Sequence, residues 1–287
     1  MDFIRTGEKK IVRVHKKNEV VYLTYPILDE LSGIRHGFST RLGGVSEGHL
    51  SSMNLSFSRG DREECVRENY RRMAEALGFD TEAMVFTDQT HTTNVRRVTA
   101  ADLGKGWNKE RDYQDVDGLI TDDPEAVLVT FYADCVPLFF VDPVRRAIGL
   151  SHSGWRGTVG KMGKVTVEAM QTAFGSNPED IVAAIGPSIC QSCYQVSEDV
   201  IEEFRRNFRE ERWRELFYGE GDGKYRLNLW RANELVLEEA GILPEHMQVT
   251  DICTCCNSEV LFSHRASQGK RGNLAAFLTM QSKAAWR

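Results

Sequence analysis

Short apolar runs recur along the chain, and glycine, proline or charged residues bound each of them. Runs of this length that are rich in branched and aromatic side chains predict β-strands. The predicted strands span residues 20–25, 35–40, 84–87, 94–98, 117–121, 126–133, 137–141, 146–151, 181–185, 247–250 and 275–279.

Four longer stretches repeat their apolar residues every three or four positions. This periodicity predicts amphipathic helices over 61–77, 160–174, 198–208 and 229–240. In the first of them, Asp61 is expected to cap the start, Glu64 to complete a capping box and Gly78 to end the helix. Asp142-Pro143 is a turn signal, so 137–151 is predicted to be a β-hairpin.

The predicted strands cluster along the chain instead of alternating with helices. This order favours an α+β fold, with mixed, mainly antiparallel β-sheets flanked by helices, over a doubly wound sheet. No internal repeat, low-complexity tract or linker divides the 287 residues, so 1–287 is predicted to be a single domain.

Composition narrows the classes of function. A 41% hydrophobic, 27% charged chain is ordinary for a globular protein, and its net charge of −6 argues against non-specific nucleic-acid binding. No secretory signal is visible, and no run reaches the roughly 18 apolar residues that a membrane span needs. Seven cysteines, an odd number, predict a reducing cytoplasm rather than a disulfide framework. The oligomeric state stays open, with a monomer favoured.

Two imidazoles and one thiol carry the main chemical signal: His91, Cys135 and His152. Because Cys135 precedes the predicted hairpin and His152 ends its returning strand, the two side chains can meet at one end of it. Thiolate plus imidazole suits zinc, and also copper, and three protein ligands leave the open position that catalytic zinc uses. The same residues could instead form the Cys–His nucleophile pair of a hydrolase, which spacing does not distinguish.

Charged residues beside this trio suggest supporting roles. Asp134 and Asp88 are candidates to orient a metal ligand through hydrogen bonds. The glycine-rich turn after His152 runs into a predicted helix, where free backbone N–H groups and Arg156 suit an anion. Arg41, in a second Arg-Gly turn, is expected to help hold that anion. Either turn could equally be a plain surface turn.

The other cysteines and the last basic loop give weaker signals. Cys190 and Cys193 have Cys-x-x-Cys spacing, but their neighbours do not fit a thioredoxin-like redox unit. The string Cys253-Thr254-Cys255-Cys256 could bind a soft metal, yet no partner pair lies at zinc-finger spacing. Buried or incidental cysteines are therefore expected there. His264-Arg265 and the adjoining loop 269–272 form a basic loop that could border a site, although a surface turn is the favoured interpretation.

Short strings over nearly the whole chain form a highly specific combination. They are Thr40-Arg41-Leu42-Gly43-Gly44-Val45-Ser46, Gln89-Thr90-His91, Asp115-Val116-Asp117-Gly118-Leu119, Ala133-Asp134-Cys135-Val136-Pro137, His152-Ser153-Gly154-Trp155-Arg156-Gly157, Ile185-Gly186-Pro187, Cys193-Tyr194-Gln195-Val196, Cys253-Thr254 and Phe262-Ser263-His264-Arg265. With them the chain resembles the YfiH/YlmD-like family. That family was long labelled multicopper polyphenol oxidoreductase or laccase domain, and is now described as purine nucleoside phosphorylase.

The resemblance implies a YfiH-like fold, similar to that of cytotoxic necrotizing factor, and one zinc ion held by His91, Cys135 and His152. It implies phosphorolysis of adenosine, inosine and methylthioadenosine to the free base and ribose 1-phosphate, together with adenosine deamination. Older family descriptions give copper-dependent phenol oxidation, and editing of peptidoglycan precursors has been proposed for some members. Thr92 stands where the family commonly has glycine, so the loop after His91 need not share the family's shape.

A zinc enzyme acting on purine nucleosides is therefore the first hypothesis. In it Arg41 and Arg156 bind phosphate, Asn54 contacts the substrate, and Asp134 supports a ligand or moves a proton. Copper oxidase chemistry is the second, although seven histidines without a His-x-His pair make a multicopper site implausible. The third is a metal-free Cys–His hydrolase, which could act on a cell-wall precursor, with Cys135 as nucleophile. A structural zinc protein is the fourth, and would need one more ligand.

Overall fold

The computed structural model describes residues 2–7 and 10–281, so residues 1, 8, 9 and 282–287 of the predicted domain lie outside the description. The strands are β1 (Arg13–Lys17), β2 (Val20–Thr24), β3 (Ile34–Ser39), β4 (Met84–Phe86), β5 (Val95–Arg97), β6 (Gly118–Thr121), β7 (Val127–Tyr132), β8 (Val136–Asp142), β9 (Ala147–Ser153), β10 (Val182–Ile185), β11 (Gln195–Ser197), β12 (Phe217–Gly221), β13 (Lys224–Leu227), β14 (Met247–Val249) and β15 (Leu274–Met280). The helices are α1 (Pro26–Asp29), α2 (Glu63–Leu77), α3 (Trp155–Val159), α4 (Met162–Phe174), α5 (Glu198–Asn207), α6 (Trp213–Leu216), α7 (Leu229–Glu239) and α8 (His264–Ser267).

In the part of the chain that the structure describes, the strands form two six-stranded sheets and one three-stranded sheet. The first sheet has the order β1-β2-β3-β15-β7-β4, the second β14-β10-β8-β9-β6-β5, and the small sheet β11-β13-β12. The pairs β4–β7, β5–β6 and β10–β14 are parallel, and the other strand pairs described are antiparallel. The predicted α+β fold with mixed, mainly antiparallel sheets is confirmed.

The two large sheets pack face to face, and side-chain alternation along β8 shows how. Phe139 joins the core between the sheets, whereas the adjacent Leu138 and Phe140 join the apolar cluster that α4 and α7 cover. Both faces of β8 are therefore buried, which explains why its sequence is apolar throughout. On the far side, α2 covers the first sheet through residues such as Tyr70. None of the helices within 2–7 and 10–281 is long and apolar enough to cross a membrane.

Two local predictions need correction, and one small sheet was not predicted. Asp61 does not cap α2, because the helix begins at Glu63 and the Asp61 carboxylate accepts hydrogen bonds from the Ser46 hydroxyl and the Asn54 amide instead. Gly78 ends α2 in a left-handed conformation, as predicted. The helix predicted over 160–174 begins later, since Lys161 has a positive φ of 61° and separates α3 from α4. The small sheet β11-β13-β12 was not predicted, because its strands are largely exposed and carry no clear apolar alternation.

The predicted hairpin is confirmed, and its register places the chemical residues. Strands β8 and β9 pair antiparallel with Pro137 opposite His152 and Val136 opposite Ser153. Cys135 therefore precedes β8 at the same end of the hairpin at which His152 lies. Strand β6 pairs on the other side of β9 and brings Gly118 opposite Ser151.

Buried His36 in β3 is expected to make stability depend on pH. Its Nε2 accepts the Tyr25 backbone N–H at 2.9 Å, which requires an unprotonated nitrogen. Burial lowers the pKa of His36 to about 4, despite the opposing charge of Asp29. Since an unfolded histidine has a pKa of about 6.5, the unfolded state binds more protons between pH 6.5 and 4, and folding loses up to about 3 kcal/mol as pH falls through that window.

Urea unfolding of wild type and His36→Gln at several pH values tests this expectation. The variant should lose less stability than wild type between pH 6.5 and 4, because its side chain does not titrate. His49→Gln, at an exposed position, is the matched control and should keep the wild-type pH dependence. Identical pH dependence in His36→Gln and wild type would contradict the assignment.

Candidate metal centre

His91, Cys135 and His152 come together at the open end of the β8–β9 hairpin. Their three ligand atoms all lie within 4.8 Å of one another. The Cys135 Sγ lies 3.8 Å from His91 Nε2, and the two imidazole rings meet edge to face with centroids 5.0 Å apart. His152 is buried, Cys135 is partly buried and His91 is exposed, so the cluster opens toward solvent on the His91 side.

Asp117, immediately before β6, fixes both histidines. Its Oδ1 accepts a hydrogen bond from His152 Nδ1 at 2.7 Å and another from the His91 backbone N–H at 3.2 Å. Its Oδ2 accepts from the backbone N–H groups of Thr90 and Thr92, each at 3.0 Å. These bonds stabilise a turn in which His91 has a positive φ of 66°. A proton held on His152 Nδ1 leaves Nε2 free to bind a metal.

Gly154 leaves the space that a bound ion needs. A Cβ at this position would lie 3.0 Å from both the Cys135 Sγ and the His91 Cδ2. Two imidazole nitrogens and one thiol with free space beside them are the donor set of a catalytic zinc site with an open position. The residues present therefore fit a zinc-type metal ion.

The charges within the trio reinforce one another. Burial raises the pKa of Cys135, but the charge of His152 and hydrogen bonds from both histidines outweigh it and bring that pKa to about 6. Burial lowers the pKa of His152, but Cys135 and Asp117 outweigh it and raise that pKa to about 9. The site therefore favours a thiolate, which is the form of cysteine that binds metals.

The two aspartates predicted to support the ligands have other contacts. Asp134, with a positive φ of 90°, accepts hydrogen bonds from the Thr254 hydroxyl at 2.6 Å and the Arg265 backbone N–H at 2.7 Å. These contacts suit a residue that positions the neighbouring Cys135. Asp88 forms an ion pair with Arg111 at 2.9 Å. The ligand-orienting carboxylate is Asp117, which the residue spacing alone did not single out.

Arg41 lies in a cavity that α8 helps to line, and Asn54 bonds to Asn273, which follows α8 along the chain. Arg41 donates to the backbone oxygens of Ser51 and Ser258 and lies over the Phe262 ring, and it lines a cavity of about 250 Å³. Asn54 is fully buried, and both ends of its amide bond to protein, at Asp61, Ser56 and Asn273. These contacts suit a role in holding the loops together, and the predicted contact of Asn54 with substrate stays a prediction.

Arg156 lies on the other side of the cluster, exposed over the Trp155 ring at 4.2 Å. Tyr194, in the Cys193-Tyr194-Gln195-Val196 string, is half-buried and was given no role from sequence. Burial and the nearby Cys135 raise the pKa of the Tyr194 phenol, while Arg265 and Arg156 oppose this to a smaller extent. Tyr194 is therefore an aromatic side chain within electrostatic range of both Cys135 and Arg156.

Arg271 is the basic residue that the sequence analysis missed by interpreting 269–272 as a surface turn. It lines the same cavity as Arg41, and its buried Nε has no hydrogen-bond partner among the described residues. Burial and the neighbouring Arg59 lower the pKa of Arg271 to about 10, although Asp134 and Cys135 oppose this. It is thus a charged donor within electrostatic range of the trio. Its position among glycines, close to the Phe262-Ser263-His264-Arg265 string, was the available signal.

Fold and site together define an α+β fold with a His/Cys/His set that could hold a metal ion. The chain belongs to the family whose model is described as multi-copper polyphenol oxidoreductase laccase, which matches residues 35–281.

Similar proteins and similar solved structures are consistent with this family membership. The chain is 36% identical over 250 residues to purine nucleoside phosphorylase YlmD of Bacillus subtilis, covering 85% of this chain and 88% of that one. It is 38% identical over 254 residues to the enzyme of that name from Geobacillus stearothermophilus, covering 86% and 90% of the two chains. The crystal structure of the Geobacillus stearothermophilus YlmD superimposes with a TM-score of 0.87 at 34% identity, covering 96% of this chain and all of that chain (100%).

Proposed function

We propose that this protein is a zinc-dependent purine nucleoside phosphorylase that cleaves adenosine, inosine and methylthioadenosine. The observation that carries the proposal is the convergence of His91, Cys135 and His152 beside the space at Gly154. The names of the relatives supply the reaction class. The donor set supports zinc, because two imidazoles and one thiolate are ligands that zinc prefers.

The reaction requires phosphate to attack the anomeric carbon of the ribose while the bond from that carbon to the purine nitrogen breaks. The electron pair of the broken bond leaves with the base, which then takes up a proton. A bound zinc ion would supply Lewis-acid stabilisation of negative oxygen at this site.

Residues of the chain are proposed to bind phosphate, contact the purine and position Cys135. Arg271 lines the cavity it shares with Arg41, and its buried Nε has no hydrogen-bond partner among the described residues, so these two guanidinium groups are proposed to bind phosphate. Arg156 remains a second phosphate candidate on the Tyr194 side. The Tyr194 ring is proposed to contact the purine, because planar aromatic side chains stack on bases. Asp134 is proposed to position Cys135.

Adenosine deamination is proposed as a second activity of the same site. Water in the position beside Gly154 would meet the same donor set, which suits activation of a water nucleophile. In the chain as described, His91 and His152 belong to the one candidate metal set that contains imidazole. This arrangement supports a mononuclear site over a multicopper oxidase.

A metal-free Cys–His hydrolase is the second candidate, because one observation favours it. Asp117 bonds to His152, and His152 in turn interacts with Cys135, as in a nucleophile triad. Exhaustive chelation separates the two candidates. Loss of turnover on chelation, with recovery on zinc addition, supports the phosphorylase proposal, whereas full activity after chelation supports the hydrolase.

The direct test is a mass-spectrometric assay of purified protein with adenosine, inosine and methylthioadenosine, with and without phosphate. Ribose 1-phosphate, or its methylthio counterpart, should appear with the free base only when phosphate is present. Base released equally in both conditions would show hydrolysis and overturn the phosphorylase proposal. Inosine formed from adenosine without phosphate would support deamination.

Arg271→Gln is expected to raise the KM for phosphate about 10- to 100-fold and to change the KM for inosine little. The reason is that a hydrogen bond to a charged group is worth about 1.5–3 kcal/mol. Initial-rate kinetics with each substrate varied in turn measure both constants.

Arg214→Gln, at an exposed position of α6, is the control and should leave both constants near those of wild type. Thermal unfolding of the Arg271→Gln variant checks that the fold is kept. An unchanged KM for phosphate in a folded variant would remove Arg271 from the phosphate site.

A further inference from the structure

A second group of metal-ligating side chains lies apart from the His/Cys/His trio. The sulfur atoms of Cys190, Cys193, Cys253 and Cys256 all lie within 4.8 Å of one another. The Cys256 Sγ is 3.4 Å from that of Cys193 and 3.9 Å from that of Cys190. Spacing alone predicts incidental cysteines here, but folding brings two Cys-x-x-Cys pairs together from distant parts of the chain.

The spacing of these sulfurs matches that of a tetrahedral metal site. With zinc–sulfur bonds of about 2.3 Å, the edges of a four-sulfur tetrahedron are about 3.8 Å long. The 3.4 Å and 3.9 Å separations lie on either side of that length. A disulfide needs two sulfurs about 2.05 Å apart, and the described cysteines are all free thiols.

Backbone hydrogen bonds to sulfur supply the second observation. The Cys253 Sγ accepts the N–H of Cys190 at 3.2 Å and that of Cys256 at 3.4 Å. Donors of this kind orient and stabilise a metal-bound thiolate. Cys190 and Cys253 are buried, so unpaired thiolates there would be costly without a cation.

We propose that Cys190, Cys193, Cys253 and Cys256 bind one structural zinc ion in a closed four-sulfur site. Four protein ligands leave no position for water or substrate, which is the arrangement of structural rather than catalytic zinc. The proposal is independent of the metal at the trio, because it uses none of those residues. Cys255 lies in the same turn but is not one of the four.

A metal at this site would hold together the segments 189–193 and 253–256, which both contact Asp134 beside the trio. In one segment, the Ile189 backbone N–H donates to the Asp134 backbone oxygen at 3.0 Å. In the other, the Thr254 hydroxyl donates to the Asp134 carboxylate at 2.6 Å. The Arg265 side chain also donates to the Cys193 backbone oxygen at 3.1 Å. A metal at the four cysteines would therefore hold Asp134, and through it the start of β8 at Cys135.

Cobalt substitution of the full-length Cys135→Ala variant tests the proposal without disturbing the four cysteines. This variant lacks the only thiol of the trio, so any sulfur-to-cobalt charge transfer must come from elsewhere. Titration of the metal-free variant with Co²⁺ should give a tetrahedral four-sulfur spectrum that saturates at one equivalent. Zn²⁺ should bleach that spectrum stoichiometrically.

Two further variants in the same background assign the ligands. Adding Cys193→Ser should abolish the four-sulfur spectrum, and adding Cys255→Ser should keep it. Elemental analysis of otherwise wild-type protein carrying Cys193→Ser should show one equivalent of metal fewer than wild type.

Absence of a sulfur-to-cobalt band in Cys135→Ala overturns the proposal, and so does a four-sulfur spectrum that survives Cys193→Ser. A Cys193–Cys256 disulfide in freshly isolated, metal-free wild type overturns it as well. None of these outcomes depends on nucleoside turnover, so failure of this proposal and failure of the proposed phosphorylase activity are distinguishable.

Discussion

Alanine in place of His91 or Cys135 is expected to lower phosphorolysis about 1,000-fold or more. Each change removes one of three donors, and two remaining donors bind zinc poorly. A catalytic metal contributes several kcal/mol of transition-state stabilisation, which corresponds to about three orders of magnitude in rate. The measurement is kcat and kcat/KM for inosine with saturating phosphate, together with the zinc content of each variant.

Matched controls come from residues of the same types away from the trio. His246→Ala in the turn Pro244–His246 and Cys65→Ala in α2 should keep both turnover and zinc content near those of wild type. Zinc content should fall by one equivalent in His91→Ala and Cys135→Ala. Wild-type turnover in either folded variant would refute the proposed role of the trio.

The part of this site that could be predicted from sequence is the part governed by local rules. A turn signal at Asp142-Pro143 and two flanking apolar runs specified the hairpin, and an antiparallel hairpin returns His152 to the level of Cys135. The residues alone suggested His91 as a third ligand, but its position depends on long-range packing, so the resemblance to the family string was needed to strengthen that hypothesis.

Some residues of the two candidate metal sites can be identified only from tertiary contacts. Asp117 is identified by its neighbours, because β6 pairs with β9 and carries the carboxylate to His152, 35 positions away. The two cysteine pairs illustrate the same limit. Cys193 and Cys256 are 63 residues apart, and no spacing rule anticipates that the loops after β10 and β14 meet there.

The predicted helix cap at Asp61 was wrong because other hydrogen-bond donors compete for its carboxylate. Asp61 precedes a helical pattern and suits a cap, but the Ser46 hydroxyl and Asn54 amide already occupy its carboxylate. Asn54 in turn looked like a substrate contact because it is polar and follows an Arg-Gly turn. Its full burial suits a scaffold role, and its contact with substrate stays a prediction.

Asp117→Asn is expected to weaken zinc binding about 10- to 100-fold and to lower turnover at least as much, because loss of a ligand-orienting partner has effects of this size. Both carboxylate oxygens of Asp117 accept hydrogen bonds, so an amide must turn its NH₂ toward existing donors. Facing His152 Nδ1, it favours the tautomer with a proton on Nε2, where a metal would bind. Facing the N–H groups of Thr90 and Thr92, it disrupts the turn that presents His91.

Zinc affinity by competition with a chelating dye, unfolding free energy and kcat measured together separate these effects. Because Asp117 is fully buried, unpaired donors should also lower the unfolding free energy by about 1–3 kcal/mol. Asp115→Asn, an exposed neighbour whose carboxylate accepts the Thr90 hydroxyl, is the control and should change affinity and kcat less than about twofold. Reduced stability with wild-type zinc affinity and kcat would make Asp117 a scaffold residue only, whereas joint loss of affinity and kcat at a retained fold supports its role in orienting both histidines.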